Sequence, residues 1–204
     1  RRDFKLEELA SFFDLVVARY LRWANAYHSW RQERDRSVES LRFPFPSMRE
    51  GQQELQTTVG ETIDAGGTLY AQAPTGIGKT ISVLFPAAKA LGERRIEKVF
   101  FLTAKTSGRM AAEKAFDDLR TGGLKIKSLT LTARDRVCFN ARDGQPCDQE
   151  TCEFAIGYYD RLNGALEELF QHDALTRPAI EDVARRHQVC PFELSLDISE
   201  HCDS

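Results

Sequence analysis

Eight consecutive residues, Ala73 to Thr80 in the order A-P-T-G-I-G-K-T, have the types and spacing needed to hold phosphate. Gly76 and Gly78 tolerate positive φ. The backbone of Ala73, Pro74, Thr75, Gly76, Ile77 and Gly78 can therefore wrap its N–H groups around phosphate oxygens. Lys79 is placed to reach the β- and γ-phosphates, and Thr80 to give its hydroxyl to Mg²⁺. The pattern departs from the strict G-x-x-x-x-G-K-[ST] form only at its first position, where Ala73 stands. ATP with Mg²⁺ is the expected ligand, and Lys79 and Thr80 are the catalytic candidates.

Turnover in such a site also needs an acid that holds magnesium and positions water. That acid normally ends a short apolar run, and no such run is present. Asp117-Asp118 lies within a helical pattern, and Asp197 follows F-E-L-S-L, which alternates. The sequence thus predicts nucleotide binding without efficient hydrolysis by this chain alone.

The second chemical constellation is thiol. Cys138, Cys147, Cys152 and Cys190 are separated by eight, four and thirty-seven residues, and the spare Cys202 stands in S-E-H-C-D-S. Four thiolates can hold zinc as a tetrahedral Cys₄ site or an iron–sulfur cluster. Zinc knuckles usually pair short spacings, and only Cys147 and Cys152 are so close; spacing alone leaves both metals open. The odd count and the lack of a secretion signal argue against a disulfide framework. His28, His172, His187 and His201 have no paired spacing and read as surface or packing residues.

Several elements must position these groups. Apolar residues from Leu6 to Tyr27 recur at helical spacing, which predicts a long helix from Asp3 to about Arg36. The two prolines of F-P-F-P enforce an extended break, and a boundary falls near Leu41. A helix over about 49–65 follows, closed by Gly66-Gly67. Strands are predicted at 68–73, 97–103 and 124–131, and helices at 79–91 and 107–119. That alternation implies a parallel sheet with helices on both faces. It stops near Arg134, where the cysteines begin and two more helices, about 154–170 and 178–187, are expected. The predicted division is 1–41 as a helical linker, 42–133 as a partial P-loop domain, and 134–204 as a small cysteine domain.

The formal charge of −3 hides an asymmetry. Lys79 to Arg136 holds 13 Lys/Arg against 6 Asp/Glu, or +7, and Val137 to Ser204 holds 5 against 14, or −9. The basic part is suited to facing phosphates, the acidic part is not. No apolar run is long enough to span a membrane. The opening R-R-D-F-K lacks both Met and an apolar leader, which predicts a cytoplasmic piece of a longer protein.

Three stretches together resemble the XPD/DinG family of iron–sulfur superfamily 2 DNA helicases. S-M-R-E-G-Q-Q-E-L ahead of the phosphate loop is similar to an adenine-reading motif, which implies that Gln52 meets the adenine edge. F-F-L-T-A-K-T-S-G-R resembles the motif in which Thr103, Lys105 and Thr106 would meet the DNA backbone. Four cysteines introduced by A-R-D-R-V-C and ended by C-P-F-E resemble that family's cluster insertion, and the resemblance as a whole covers roughly 43–202. The resemblance implies a RecA-like P-loop sheet, a 4Fe-4S cluster on Cys138, Cys147, Cys152 and Cys190, and 5′-to-3′ movement on single-stranded or forked DNA. Arg134, Arg136 and Arg142 are candidates for DNA contact beside the cluster. The family's magnesium acid, arch domain and second motor domain have no counterpart in these 204 residues.

Two other classes stay open on the residues alone. One is a non-motor nucleotide-binding module braced by a Cys₄ zinc site. The other is a small P-loop enzyme such as a kinase, although no lid or substrate-Arg pattern accompanies it.

Overall fold

A computed structural model describes residues 3–74, 76–141 and 147–204. The chain divides into two units, Arg1–Glu33 and Arg34–Ser204. Helix α1 (Leu6–Glu39) makes up nearly all of the first unit. Glu7 and Glu8 sit in its first turn, where carboxylates complement the helix dipole, and Glu8 accepts from the Lys5 backbone N–H at 3.1 Å. Along its first four turns Leu6, Leu9, Phe12, Phe13, Val16 and Tyr20 are exposed.

The second unit continues with α2 (Gln52–Asp64), α3 (Lys79–Gly92) and α4 (Thr106–Thr121). Strand β1 (Ser128–Leu129) and the short α5 (Arg134–Val137) follow. The unit ends with α6 (Tyr158–Leu169), β2 (Ala174–Leu175), α7 (Arg177–His187) and α8 (Pro191–Ser199). Glycine sets two of the boundaries. Gly66, at φ 59, turns the chain out of α2, and Gly123, at φ 97, lets the Leu124 N–H close back on the Leu119 carbonyl at 3.1 Å. Proline sets two more, since Pro178 and Pro191 occupy the first turns of α7 and α8, where a missing N–H costs nothing. Helix α8 was not expected, because F-E-L-S-L alternates. Its start signal is Pro191, directly after Cys190.

Two hydrophobic cores form within this unit. The first joins α3 and α4 through Ile81, Leu84, Leu91, Phe116 and Leu119, with Leu124 and Ile126 beneath. The second joins α6, α7 and α8 through Leu169, Ile180, Val183, Leu194 and Ile198. β1 and β2 tie the two cores as a parallel pair, with Ser128 opposite Ala174 and Leu129 opposite Leu175.

The runs expected as strands at 68–73 and 97–103 carry no strand ladder among the described residues. Tyr70 is 94% exposed and Leu102 is 88% exposed. The reason is physical. A parallel strand needs neighbours on both edges and cover on both faces. The described residues give 97–103 one short neighbour: the Val99 N–H donates to the Asp203 carbonyl at 2.9 Å.

A buried polar network anchors that neighbour. Arg34 donates to Asp203 at 2.7 Å and pairs with Asp35, and the second Asp203 oxygen accepts the Lys127 backbone N–H at 2.9 Å. Burial alone would lower the Arg34 pKa; the hydrogen bonds and charges of Asp203 and Asp35 outweigh it and raise the pKa. Lys127 is fully enclosed and its ammonium donates to the carbonyls of Phe170 and His172, at the end of α6. Desolvation lowers its pKa despite the nearby carboxylates of Asp173 and Asp203.

Candidate functional site

The phosphate loop owes its shape to two left-handed glycines, Gly76 at φ 87 and Gly78 at φ 84. Gly78 caps α3, so the helix begins at Lys79 with its free N–H groups aimed into the loop. The Lys79 ammonium donates to the carbonyls of Ala73 at 2.9 Å and Pro74 at 2.8 Å. Thr80 is half-buried on the first turn, and Thr75 lies outside the described residues.

The structure brings Gln52 against this loop. Its side chain is 3% exposed, and a Cβ at Gly78 would lie 2.6 Å from the Gln52 amide nitrogen. The positive φ favours glycine at 78, and a side chain there would also displace the end of the Gln52 side chain. The Gln52 amide oxygen accepts the Arg49 backbone N–H at 2.7 Å, which fixes the side chain's orientation. Arg49 adds a contact that the sequence reading did not foresee, its guanidinium donating to the Gly76 carbonyl. The signal was present, since Arg49 stands three residues before Gln52 in a segment already singled out.

None of the carboxylates considered for magnesium reaches this loop. Asp117 pairs with Arg120 and Asp118 with Lys114, both along α4. Asp197 on α8 accepts the Tyr158 hydroxyl at 2.6 Å, and burial followed by that bond raises the Tyr158 pKa.

Thr103, Lys105 and Thr106 lie at the start of α4, with Lys105 as its cap residue. A Cβ at Gly108 would fall 2.2 Å from the Thr103 hydroxyl, so the turn closes tightly over α4. These residues line a cleft of about 820 Å³ together with Arg109, Thr130, Thr132 and Arg136. Arg136 thus joins the group proposed to meet nucleic acid. Arg134 faces elsewhere: it pairs with Glu193 at 3.3 Å and stacks 4.6 Å from the Phe192 ring. Arg142 lies outside the described residues.

The cysteines come from four separate segments. Cys138 ends α5, and its N–H donates to the Arg134 carbonyl at 2.8 Å. The Cys152 carbonyl accepts from Ala155 and Ile156 at 2.9 Å each, while its sulfur lies 3.6 Å from the Asn140 amide nitrogen. Cys190 caps α8. Burial pushes the Cys190 thiol up, against the lowering effect of the Glu193 and Phe192 backbone N–H groups. Cys147 is exposed, and Cys202 is buried in the second core with its thiol pushed up to about 12 by desolvation. All five thiols are free.

Two arginines, unforeseen in the sequence, hold this region. Arg161 donates to the carbonyls of Glu153, Ile156 and Gln188 at 3.1, 2.7 and 3.0 Å, tying the segment after Cys152 to the one before Cys190. Arg185 stacks 3.9 Å from the Phe139 ring, which in turn meets Phe154 edge-on at 5.0 Å. Among the described residues no three His, Cys, Asp or Glu side chains come close enough to hold a metal ion. The thiols fit an iron–sulfur group in kind; the described residues do not close the four-thiol set.

A P-loop followed by a helix, with a glutamine fixed against the last loop glycine, defines a nucleotide-binding domain. Residues 45–180, two thirds of the chain, match the family described as type III restriction enzyme, res subunit; the chain belongs to that helicase-type family. It is also similar to a probable ATP-dependent helicase of Methanocaldococcus jannaschii, with 29% identity over 104 residues. That match covers 51% of this chain and 15% of the relative, so the chain spans only a small part of the relative's length. No solved structure matches the chain. No helix among the described residues is long and apolar enough to cross a membrane.

Proposed function

We propose that the chain is the nucleotide-gripping front part of an ATP-dependent DNA helicase of the XPD/DinG type. The observation that carries the reading is Gln52, buried and oriented against Gly78, where one ligand could touch both it and the loop. In this reading Gln52 reads the adenine edge while the loop from Ala73 to Gly78 holds the phosphates. Lys79 exchanges the Ala73 and Pro74 carbonyls for β- and γ-phosphate oxygens, and Thr80 contributes a magnesium ligand. The loop belongs to a P-loop sheet with helices on both faces. None of the carboxylates considered for magnesium reaches it, so the chain by itself is expected to bind ATP and turn it over poorly.

Thr103, Lys105, Thr106 and Arg136 form the expected grip on the strand backbone, which is independent of sequence. Cys138, Cys147, Cys152 and Cys190 are proposed to hold a 4Fe-4S cluster, which would brace the α6–α8 region beside the DNA. The tethers by which Arg161 ties the segment after Cys152 to the one before Cys190 support this assignment. Movement from 5′ to 3′ on single-stranded or forked DNA belongs to the longer protein.

The reading is tested by titrating a fluorescent ATP analogue with magnesium into the chain and into Lys79→Ala. A loss of affinity on the order of a hundredfold in the variant is expected. Equal affinity overturns the nucleotide assignment. Anaerobic purification with iron, sulfide and zinc analysis tests the cluster: about four iron per chain supports it, and about one zinc replaces it with a Cys₄ zinc brace.

A further inference from the structure

Three charged residues follow one another at four-residue spacing where α4 begins: Lys105, Arg109 and Glu113. Residues four apart on a helix are neighbours on one face. All three line the cleft, together with Thr130 and Thr132 just after β1. The order of charges runs against helix electrostatics. A helix N-terminus carries partial positive charge and favours carboxylates. The first turn of α4 holds none, and Lys105 is its cap residue. The first carboxylate of the helix, Glu113, lies C-terminal to Arg109, which is the weaker orientation for a helical ion pair.

The Arg109–Glu113 contact is also incomplete. Arg109 Nε lies 3.7 Å from one Glu113 carboxylate oxygen, beyond hydrogen-bond length. That oxygen accepts the Thr130 hydroxyl instead, at 2.7 Å. Arg109 Nε is sealed from solvent and has no hydrogen-bond partner among the described residues. The Thr132 hydroxyl oxygen, in the same cleft, is sealed and unpartnered too. A buried donor left unmatched is a cost that an arriving acceptor removes. The Arg109 side chain as a whole is still 43% exposed, so a ligand in the cleft can reach it. On the same helix Lys114 and Asp118, also four apart, close to 2.8 Å, so α4 allows such a pair to be made in full.

We infer that Arg109 is a further contact to the nucleic-acid backbone, and that Glu113 is its resident competitor, held by Thr130 beside the place a phosphate takes. This rests on the reading of the cleft as a grip on nucleic acid and adds to it a residue and a reason for release. A phosphodiester oxygen accepts from the Arg109 guanidinium and supplies the charge-assisted hydrogen bond that Glu113 does not make. Glu113 stays with Thr130 and repels the incoming anion at short range. The grip is therefore weaker than Lys105, Arg109 and Arg136 alone would make it. A protein that moves along a strand must let go of each phosphate as well as hold it, and a carboxylate waiting beside the cation eases the release.

The test measures anisotropy of a labelled deoxythymidine strand of about 15 nucleotides, titrated with the full chain at several salt concentrations. Arg109→Gln is expected to weaken binding about tenfold and to lower the salt slope by about one. Glu113→Gln, which keeps an acceptor for Thr130, is expected to tighten binding about threefold to tenfold. In the Arg109→Gln background the same change is expected to alter affinity less than about twofold. Lys114→Ala, which removes one charge outside the cleft, is expected to bind as the parent does. Tightening by Glu113→Gln that persists without Arg109 overturns the inference, because Glu113 then acts as a general repulsive charge. Unchanged affinity in either single variant overturns it as well, and Glu113→Gln decides alone if Arg109→Gln melts early. Absence of binding by the parent chain brings down the nucleic-acid reading together with the inference; binding with equal affinities brings down the inference alone.

Discussion

The phosphate loop and the cysteine region are built in opposite ways. At the loop, function is written in backbone: two glycines at positive φ, a helix start, and one glutamine leaning on the last glycine. Nearly all of it comes from residues 73–80, so a short stretch of sequence specifies it. At the cysteines, the proposed ligands are side chains from separate segments, two of which Arg161 ties together through carbonyls about thirty-five residues apart. A local site keeps its shape while its surroundings change. A gathered site is only as good as its ties.

Four perturbations break or sharpen that contrast. The largest acts on the ground common to both regions. Asp203→Ala leaves buried Arg34 with Asp35 as its remaining carboxylate partner and the Lys127 N–H without its acceptor, at an expected cost of about 1–3 kcal/mol in urea unfolding. Both nucleotide and metal binding should weaken together, since the anchored strand touches both cores. Next, Gly78→Ala forces a side chain into a left-handed residue, costing about 1–2 kcal/mol locally, and pushes on Gln52. Binding of the ATP analogue should fall at least tenfold with metal content unchanged. Arg161→Ala should do the reverse: three carbonyls lose their donor, iron or zinc per chain drops, and nucleotide affinity stays. If Arg161→Ala weakens both equally, the two sites are not independent and the contrast fails.

The smallest effect is one of pH. Hydrogen bonds from Arg186 and then His187 hold the Glu168 carboxyl below its ordinary value. A depressed folded pKa contributes stability that is present above the unfolded value of about 4.3 and is lost as pH falls through the folded value. The pair is largely solvent-facing, so the contribution is about 1 kcal/mol or less. Stability curves of the chain and of Glu168→Gln should therefore differ above pH 5 and converge as acid is added.

How much of this was legible in the sequence follows the same division. The loop was, because glycine, lysine and threonine at fixed spacing are tied to one backbone shape. The helices were too, because Gly66, Gly123, Pro178 and the 3.6-residue periodicity act locally. Arg34 was not. In R-Q-E-R-D-R nothing separates it from Arg31 or Arg36, and only the fold reveals that it meets Asp203. Strand pairing at 68–73 and 97–103 was expected from apolar runs alone, and a run cannot name its neighbours. For Arg136 and Arg134, the basic stretch was visible but not which residue faces the cleft and which stacks on Phe192.

The Arg34–Asp203 contact also sets a clock. Its partners are 169 residues apart, so the pair cannot form until the stretch between them has been made. At roughly 5–20 residues per second, Arg34 spends about 10–30 s exposed to water before Asp203 is joined to the chain. Contacts of such long sequence separation form late. The α3–α4 core, made of residues close in sequence, is expected to assemble first on the ribosome. Asp203 would then close it, joining the end of α1 to the backbone before β1 in one step.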